Sequence, residues 1–211
     1  MAKRQRNKAS TIKQKTNAKA ADSMIRIIGG AFRGRKLPVL THEGLRPTSD
    51  RVKETVFNWL QFDVPGGRCL DLFAGSGSLS LEAVSRGAQF VQSCELYPAA
   101  ARQILANIAA LNAQSKLNVF QGSAFDWLRQ ADDAAFDVVF IDPPFFKEMT
   151  TEVLQLLFSN SLVHDDSVIY LEIEKQLPLP PLPKDWNWVR EKSTSQVRYG
   201  IARMQNISTN D

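Results

Sequence analysis

Asp142 stands between an apolar run, Phe136-Asp-Val-Val-Phe-Ile141, and two consecutive prolines, Pro143 and Pro144. Apart from Asp137 the run has the composition of a strand buried on both faces. A proline after Asp142 pushes that residue toward extended backbone, and neither proline can donate to a sheet ladder. The strand must therefore end in a stiff corner. It displays one carboxylate, backbone carbonyls without neighbouring N–H groups, and one ring, Phe145. A planar base carrying an exocyclic amine suits such a corner. The carboxylate and a carbonyl can accept the two amine N–H bonds, and the ring can stack on the base.

A second constellation is Asp71-Leu-Phe-Ala-Gly-Ser-Gly77, at the end of the apolar run Cys69-Leu-Asp-Leu-Phe73. Gly75 and Gly77 let a ligand approach the backbone closely where a strand turns into a helix. Eighteen residues beyond Gly77, Glu95 closes the run Phe90-Val-Gln-Ser-Cys94, placed to take both hydroxyls of a ribose. Any nucleoside cofactor would satisfy this much. Two residues choose among them. A dinucleotide fingerprint wants Gly or Ala three after Gly77, and Ser80 stands there. Asp71, expected to point into the pocket, would repel a pyrophosphate and attract an ammonium or sulfonium group. S-Adenosylmethionine carries both cations and a ribose, so it is the expected cofactor.

Helical and strand-like patterns alternate around these residues. Strands are expected at 69–73, 90–94, 116–121, 136–141 and 167–172, and helices at 78–86, 98–111, 124–130 and 151–158. Repeated βα units build a parallel sheet covered on both faces, and in such sheets ligands bind at the C-terminal strand ends. Two further strands, 186–192 and 196–204, follow the proline-rich stretch Pro178 to Pro183 and read as an antiparallel hairpin. In front of the sheet, 24–28 and 35–40 flank a glycine-containing turn and read as another hairpin. Val52, Val56, Trp59 and Leu60 then repeat at helical spacing, with Thr48, Ser49 or Asp50 as cap. The expected division is a disordered basic tail at 1–22, a hairpin and helix extension at 23–64, the main α/β domain at 65–205, and a frayed end at 206–211.

The net charge of +4 is unevenly spread: residues 1–22 hold seven Lys/Arg against one acid, and the remainder is slightly acidic. A cationic tail favours a polyanion such as RNA or DNA. The hairpin adds Arg33, Arg35 and Lys36, and Arg46 and Arg51 flank the helix start. All five are candidate phosphate contacts. Cations on an edge strand also resist aggregation, and Arg46 and Arg51 could instead pair with Asp50 or Glu54. No apolar run approaches the ~18 residues of a membrane span, and no signal peptide is evident. Cys69 and Cys94 read as reduced core residues of a cytoplasmic protein. No Cys/His spacing suggests a metal site. His42 and His164 read as lone histidines, and Trp186, Trp188 and Tyr199 as sheet packing.

The order Asp71-Leu-Phe-Ala-Gly-Ser-Gly77, Glu95, Asp142-Pro-Pro-Phe145 resembles class I amino-methyltransferases. The segments Ile25-Arg-Ile-Ile-Gly-Gly-Ala-Phe-Arg-Gly-Arg-Lys-Leu37, Leu45-Arg-Pro-Thr-Ser-Asp-Arg-Val-Lys-Glu54, Phe57-Asn-Trp-Leu60 and Leu81-Glu-Ala-Val-Ser-Arg-Gly-Ala88 narrow this to a resemblance to the RsmD family. That family comprises bacterial 16S rRNA guanine-N2 methyltransferases acting at guanine 966. The resemblance implies a Rossmann-like, mostly parallel seven-stranded sheet with helices on both faces, plus the small N-terminal hairpin. It implies that Asp71, Phe73, Gly75 and Gly77 line the methionine end of S-adenosylmethionine, that Glu95 binds the ribose, and that Ser123 and Ala124 flank the adenine. Asp142 and Pro143 would hold the guanine amine, with Phe145 stacking. The partner would be 16S rRNA in the small ribosomal subunit or its precursor, met by a monomer without metal or membrane. Asp142 would orient the nitrogen and could also remove its proton. The rival activities are DNA adenine-N6 or cytosine-N4 methylation at the same corner, and a non-catalytic RNA-binding assembly factor.

Overall fold

The computed structural model describes residues 23–40, 48–132, 134–145 and 149–205. The expected basic tail, His42, Arg46 and the C-terminal end lie outside these residues. The chain opens with a two-stranded antiparallel hairpin, β1 (Ser23–Arg26) and β2 (Lys36–Val39), followed by α1 (Asp50–Trp59). The main sheet then forms from β3 (Arg68–Asp71), β4 (Phe90–Glu95), β5 (Leu117–Gln121), β6 (Phe136–Ile141), β7 (Val163–Glu174), β8 (Trp186–Ser193) and β9 (Val197–Met204). Helices α2 (Ser78–Ser85), α3 (Pro98–Ala110), α4 (Ala124–Gln130) and α5 (Thr150–Ser159) connect its parallel strands.

The spatial order is β5-β4-β3-β6-β7-β9-β8. Strands β3 to β7 run parallel, and β9 pairs antiparallel with both β7 and β8. The chain leaves β3 toward one edge and returns through β6 on the other side of β3. That reversal opens a crevice at the C-terminal ends of β3 and β6, the place where doubly wound sheets bind ligands. Seven strands and the closing hairpin agree with the expectation from sequence. Strand β7 starts four residues earlier than its apolar run suggests, because Val163 pairs with Phe136 across a register shift in β6.

Alternation along the buried strands divides the core into two layers. Val138, Phe140, Val168 and Tyr170 face the layer that contains α2 and α3. Leu70, Val139, Ile169 and Leu171 face the layer that contains α4 and α5. The front extension belongs to the first layer: Ile25, Ile27, Leu37 and Val39 of the hairpin, and Val52, Val56 and Phe57 of α1, are buried there. The Phe57 ring lies 5.7 Å from that of Phe140. The hairpin and α1 therefore share the core of the sheet.

Polar bonds fix the hairpin to α2. Glu82, fully buried, accepts from the backbone N–H of Ile28 (2.8 Å) and of Gly29 (2.9 Å), and pairs with Arg86 at 2.7 Å. Ser85 donates to the Gly29 carbonyl at 2.6 Å and accepts from the Phe32 N–H at 3.0 Å. Gly30 has φ +74°, and a Cβ there would lie 1.8 Å from the Ser85 carbonyl oxygen. Buried Lys53 donates to the Arg26 carbonyl at 2.6 Å. These contacts explain why the two motifs Ile-Ile-Gly-Gly and Leu-Glu-Ala-Val-Ser-Arg occur in one chain.

Cys69 and Cys94 are free and buried on adjacent strands, and burial pushes both thiols above their ordinary range. His164 is not alone, contrary to expectation. Its Nε2 lies 3.2 Å from Asp137 Oδ1, because β6 and β7 are neighbours. Trp186 and Tyr199 are buried, and Tyr199 packs on Trp59 at 5.6 Å, as sheet packing predicts. Among the described residues no helix is long and apolar enough to cross a membrane.

Candidate active site

A cavity of about 1120 Å³ occupies the crevice at the C-terminal ends of the parallel strands. Phe73, Gly75 and Glu95 line one part of it, Ser123 and Ala124 a second, and Asp142, Pro143 and Phe145 a third. The sheet order joins these groups, since β3 lies between β4 and β6. Asp71 pairs with Phe140 in the ladder, so the glycine loop and the proline corner leave the sheet side by side.

Glu95 is held from its own strand end. Its Oε2 accepts the Gly75 N–H and its Oε1 the Tyr97 N–H, each at 2.7 Å. Each carboxylate oxygen has a second lone pair, so the side chain can still receive two hydroxyls. Burial raises the Glu95 pKa, and the N–H groups of Tyr97, Gly75 and Leu96 pull it back. Gly75 and Gly77 both have positive φ, 55° and 77°. Only Gly75 meets the cavity. Gly77 lies behind it as the N-cap of α2, where a Cβ would come within 2.9 Å of Ile104.

Asp71 is not on the cavity surface, in contrast to the inward pointing expected from sequence. The β3 pleat turns its side chain into the polar layer behind the loop, where it is 1 % exposed. Ser80 donates to its Oδ2 at 2.5 Å and lies 2.7 Å from Ser93 Oγ. Its Oδ1 has no hydrogen-bond partner among the described residues. Burial pushes the carboxyl up to about 6, against the Ser80 hydrogen bond. Ser80, which argued against a dinucleotide, is thus the partner of this acid. Ser123 caps α4, its Oγ accepting the Phe125 N–H at 3.2 Å, and so the turn after β5 presents a fixed rim.

At the proline corner Asp142 is half-buried, Pro143 buried, and Phe145 half-buried against the first core layer. Thr48 donates to Asp142 Oδ2 at 3.2 Å. Burial, then the negative charges of Glu172 and Asp71, raise Asp142 well above the usual carboxylate range, and the Thr48 hydroxyl opposes this. Of the candidate phosphate contacts, Arg51 lines the cavity, while exposed Arg33, Arg35 and Lys36 lie on the hairpin and not in the cavity wall. Arg35 donates to the Ala110 carbonyl at 3.3 Å. Asp50 pairs with Arg26 and Lys53.

Several lining residues are not among the site residues expected from sequence. Leu96 and Tyr97 follow Glu95 directly and are exposed apolar groups, a signal that was available. Phe125 follows the Ser123 cap. Thr48, Glu172, Tyr199 and the turn from Lys192 to Gln196 arrive from remote elements.

The orphaned Asp71 oxygen behind the glycine loop and the spare acceptors of Glu95 suit a cationic nucleoside ligand. Comparison with known proteins agrees. The family model described as Conserved hypothetical protein 95 matches residues 25–203. Ribosomal RNA small subunit methyltransferase D of Haemophilus influenzae is 46 % identical over 190 residues, covering 89 % of this chain and 96 % of that protein. The Escherichia coli K12 protein of the same name is 43 % identical over 182 residues, 86 % and 91 % of the two chains. A solved structure of an Escherichia coli candidate methyltransferase superposes with a TM-score of 0.78 at 42 % identity, covering 87 % of this chain and 99 % of that one.

Proposed function

Because the chain belongs to the family of ribosomal RNA small subunit methyltransferase D, we propose that it methylates small-subunit ribosomal RNA from S-adenosylmethionine and that the acceptor is the exocyclic N2 of guanine 966 in 16S rRNA. The observation that carries the reading is the shared cavity. The glycine loop with Glu95 and the Asp142-Pro143 corner with Phe145 line one crevice, which supports a cofactor on one side and an acceptor amine on the other.

S-Adenosylmethionine, when bound, supplies a methyl group on a sulfonium: the bond from N2 to carbon forms as the carbon–sulfur bond breaks, and its electron pair stays on sulfur. The chain's residues do the rest. Glu95 takes the ribose hydroxyls. Asp71 acts one layer back, as a buried charge that favours the cationic end of the cofactor. Leu96, Tyr97 and Phe125 provide apolar walls beside the Ser123–Ala124 rim. The Asp142 carboxylate and the Pro143 carbonyl accept the two amine N–H bonds and aim the nitrogen, which is a poor nucleophile because its lone pair is conjugated into the ring. Positive charge develops on that nitrogen during attack, and the ionised Asp142 stabilises it. The raised affinity of Asp142 for a proton also suits it to receive the one that N2 loses.

A base edge is reached only when the nucleotide is unstacked. Arg51 at the cavity mouth and Arg33, Arg35 and Lys36 on the hairpin would hold the flanking phosphates. The test is transfer of labelled methyl onto small subunits and onto naked 16S rRNA from a strain that lacks the modification. N2-methylguanosine at guanine 966 is the expected product nucleoside. A methylated adenine or cytosine would overturn the assignment of the acceptor.

A further inference from the structure

Beside Asp142 the cavity holds a second carboxylate, which the methyl-transfer reading leaves without a role. Glu172 lies on β7, next to β6 in the sheet. The parallel ladder ends with Ile141 paired to Leu171, and Asp142 and Glu172 are the residues that directly follow that pair on the two neighbouring chains, close enough for the charge of Glu172 to act on Asp142. Both line the cavity, and Glu172 is only 6 % exposed. Its Oε2 accepts the hydroxyl of Tyr170 at 2.7 Å. Tyr170 is itself fully buried, and burial together with the charge of Glu172 keeps its phenol protonated and donating. One carboxylate oxygen is thus fixed by a core residue while the side chain borders the space in which the acceptor base must sit.

Two acids side by side under low exposure repel each other, and nothing in amine binding alone calls for the second. A guanine does. Its Watson–Crick edge presents N1–H directly beside the N2 amine, a row of adjacent donors. Adenine and cytosine place a ring-nitrogen lone pair beside their amine, and that lone pair would face a carboxylate. We propose that Glu172, oriented by Tyr170, accepts the N1–H of the target guanine and so selects guanine over the other amine-bearing bases. This rests on the reading of the corner as the amine site, and it adds the group that distinguishes one amine from another. Rejection of the wrong base follows from a buried acceptor left facing a lone pair, the situation in which polar sites discriminate strongly.

The test compares single-turnover methyl transfer by the full chain onto reconstituted small subunits whose 16S rRNA carries either guanine or 2-aminopurine at the target position. 2-Aminopurine keeps the exocyclic amine but has a lone pair in place of N1–H. The wild-type protein is expected to prefer guanine by at least about tenfold, the effect of one charge-assisted hydrogen bond. Glu172→Gln, whose amide can donate to a ring nitrogen, is expected to slow guanine about tenfold or more and to bring the ratio close to one, with cofactor affinity by calorimetry unchanged. Tyr170→Phe, which leaves Glu172 in place but loosens it, is expected to lower the ratio by a smaller factor and serves if Glu172→Gln does not fold. A guanine preference identical to wild type in the folded variants would overturn the role of Glu172 while leaving methyl transfer to guanine intact. Failure of the wild-type protein to methylate guanine at all would overturn the underlying reading instead.

Discussion

Thr48 Oγ1 donates to Asp142 Oδ2 at 3.2 Å, although the residues are 94 positions apart. The bond ties the start of α1 to the proline corner, and the next residue, Ser49, caps the helix by accepting the Val52 N–H. The Thr48-Ser49-Asp50 segment therefore does two jobs: it starts a core helix and steadies the acid proposed to hold the amine.

Replacing Thr48 by Val is expected to slow methyl transfer about tenfold, by the loss of one hydrogen bond to a charged group. The hydroxyl lowers the Asp142 pKa, which burial and neighbouring acids hold above the usual range. Asp142 must be ionised to accept the amine, so wild-type activity falls as pH falls through that raised pKa. Without the hydroxyl the pKa rises further, and the acid limb of the single-turnover pH profile should move to higher pH. An unmoved limb would show that Thr48 does not act on Asp142.

Glu95→Ala removes the proposed ribose acceptor and frees the N–H groups of Gly75 and Tyr97. Cofactor affinity by calorimetry is expected to fall about 10- to 100-fold. Unchanged affinity would remove Glu95 from the cofactor site.

The hairpin anchor is a question of stability. Glu82→Ala strands the Ile28 and Gly29 N–H groups and leaves Arg86 without its partner. The expected loss is about 3 kcal/mol in denaturant unfolding, as for other broken buried ion pairs. Gly30→Ala should also destabilise, because its Cβ would meet the Ser85 carbonyl oxygen and its φ is positive. Both losses should appear with methyl transfer per folded molecule far less affected.

Asp71 gives a pH-dependent signature. Its folded pKa, about 6, lies above the ordinary carboxyl value of 3.8. The native state therefore holds the proton more tightly, and the stability this contributes is full below 3.8 and lost as pH rises through about 6. Asp71→Asn should then gain stability relative to wild type as pH rises, by up to about 3 kcal/mol between pH 3.5 and 7.5, while cofactor affinity at pH 7.5 falls. Parallel stability curves for the two proteins would contradict the burial of this charge.

Periodicity and turn residues marked every element of the sheet, because βα units declare themselves in local pattern: α4 and β6 begin and end at the expected residues. The glycine loop, Glu95 and Asp142 were equally legible, since each ends an apolar strand. Three features were not. Asp71 looked like a pocket residue because its position at a strand end was visible, but the face to which the pleat turns it was not. Glu172 sat in an apolar run with no local sign of chemistry, and only the β6–β7 register sets it beside Asp142. Thr48 read as a possible cap, and its contact with the corner depends on how α1 packs on the sheet through Phe57 and Phe140. Long-range pairing made these contacts, and local pattern does not encode it.

The central claim is that the Asp142–Pro143 corner binds and aims the acceptor amine while the cofactor is held elsewhere in the cavity. Asp142→Asn keeps the shape of the side chain but removes its charge. The direct measurement is single-turnover methyl transfer onto small subunits by this variant, with cofactor affinity measured by calorimetry on the same preparation. The predicted result is a loss of transfer of at least about a hundredfold with cofactor affinity within about twofold of wild type. Transfer at the wild-type rate, or a loss of activity that only mirrors a loss of cofactor binding, would contradict it.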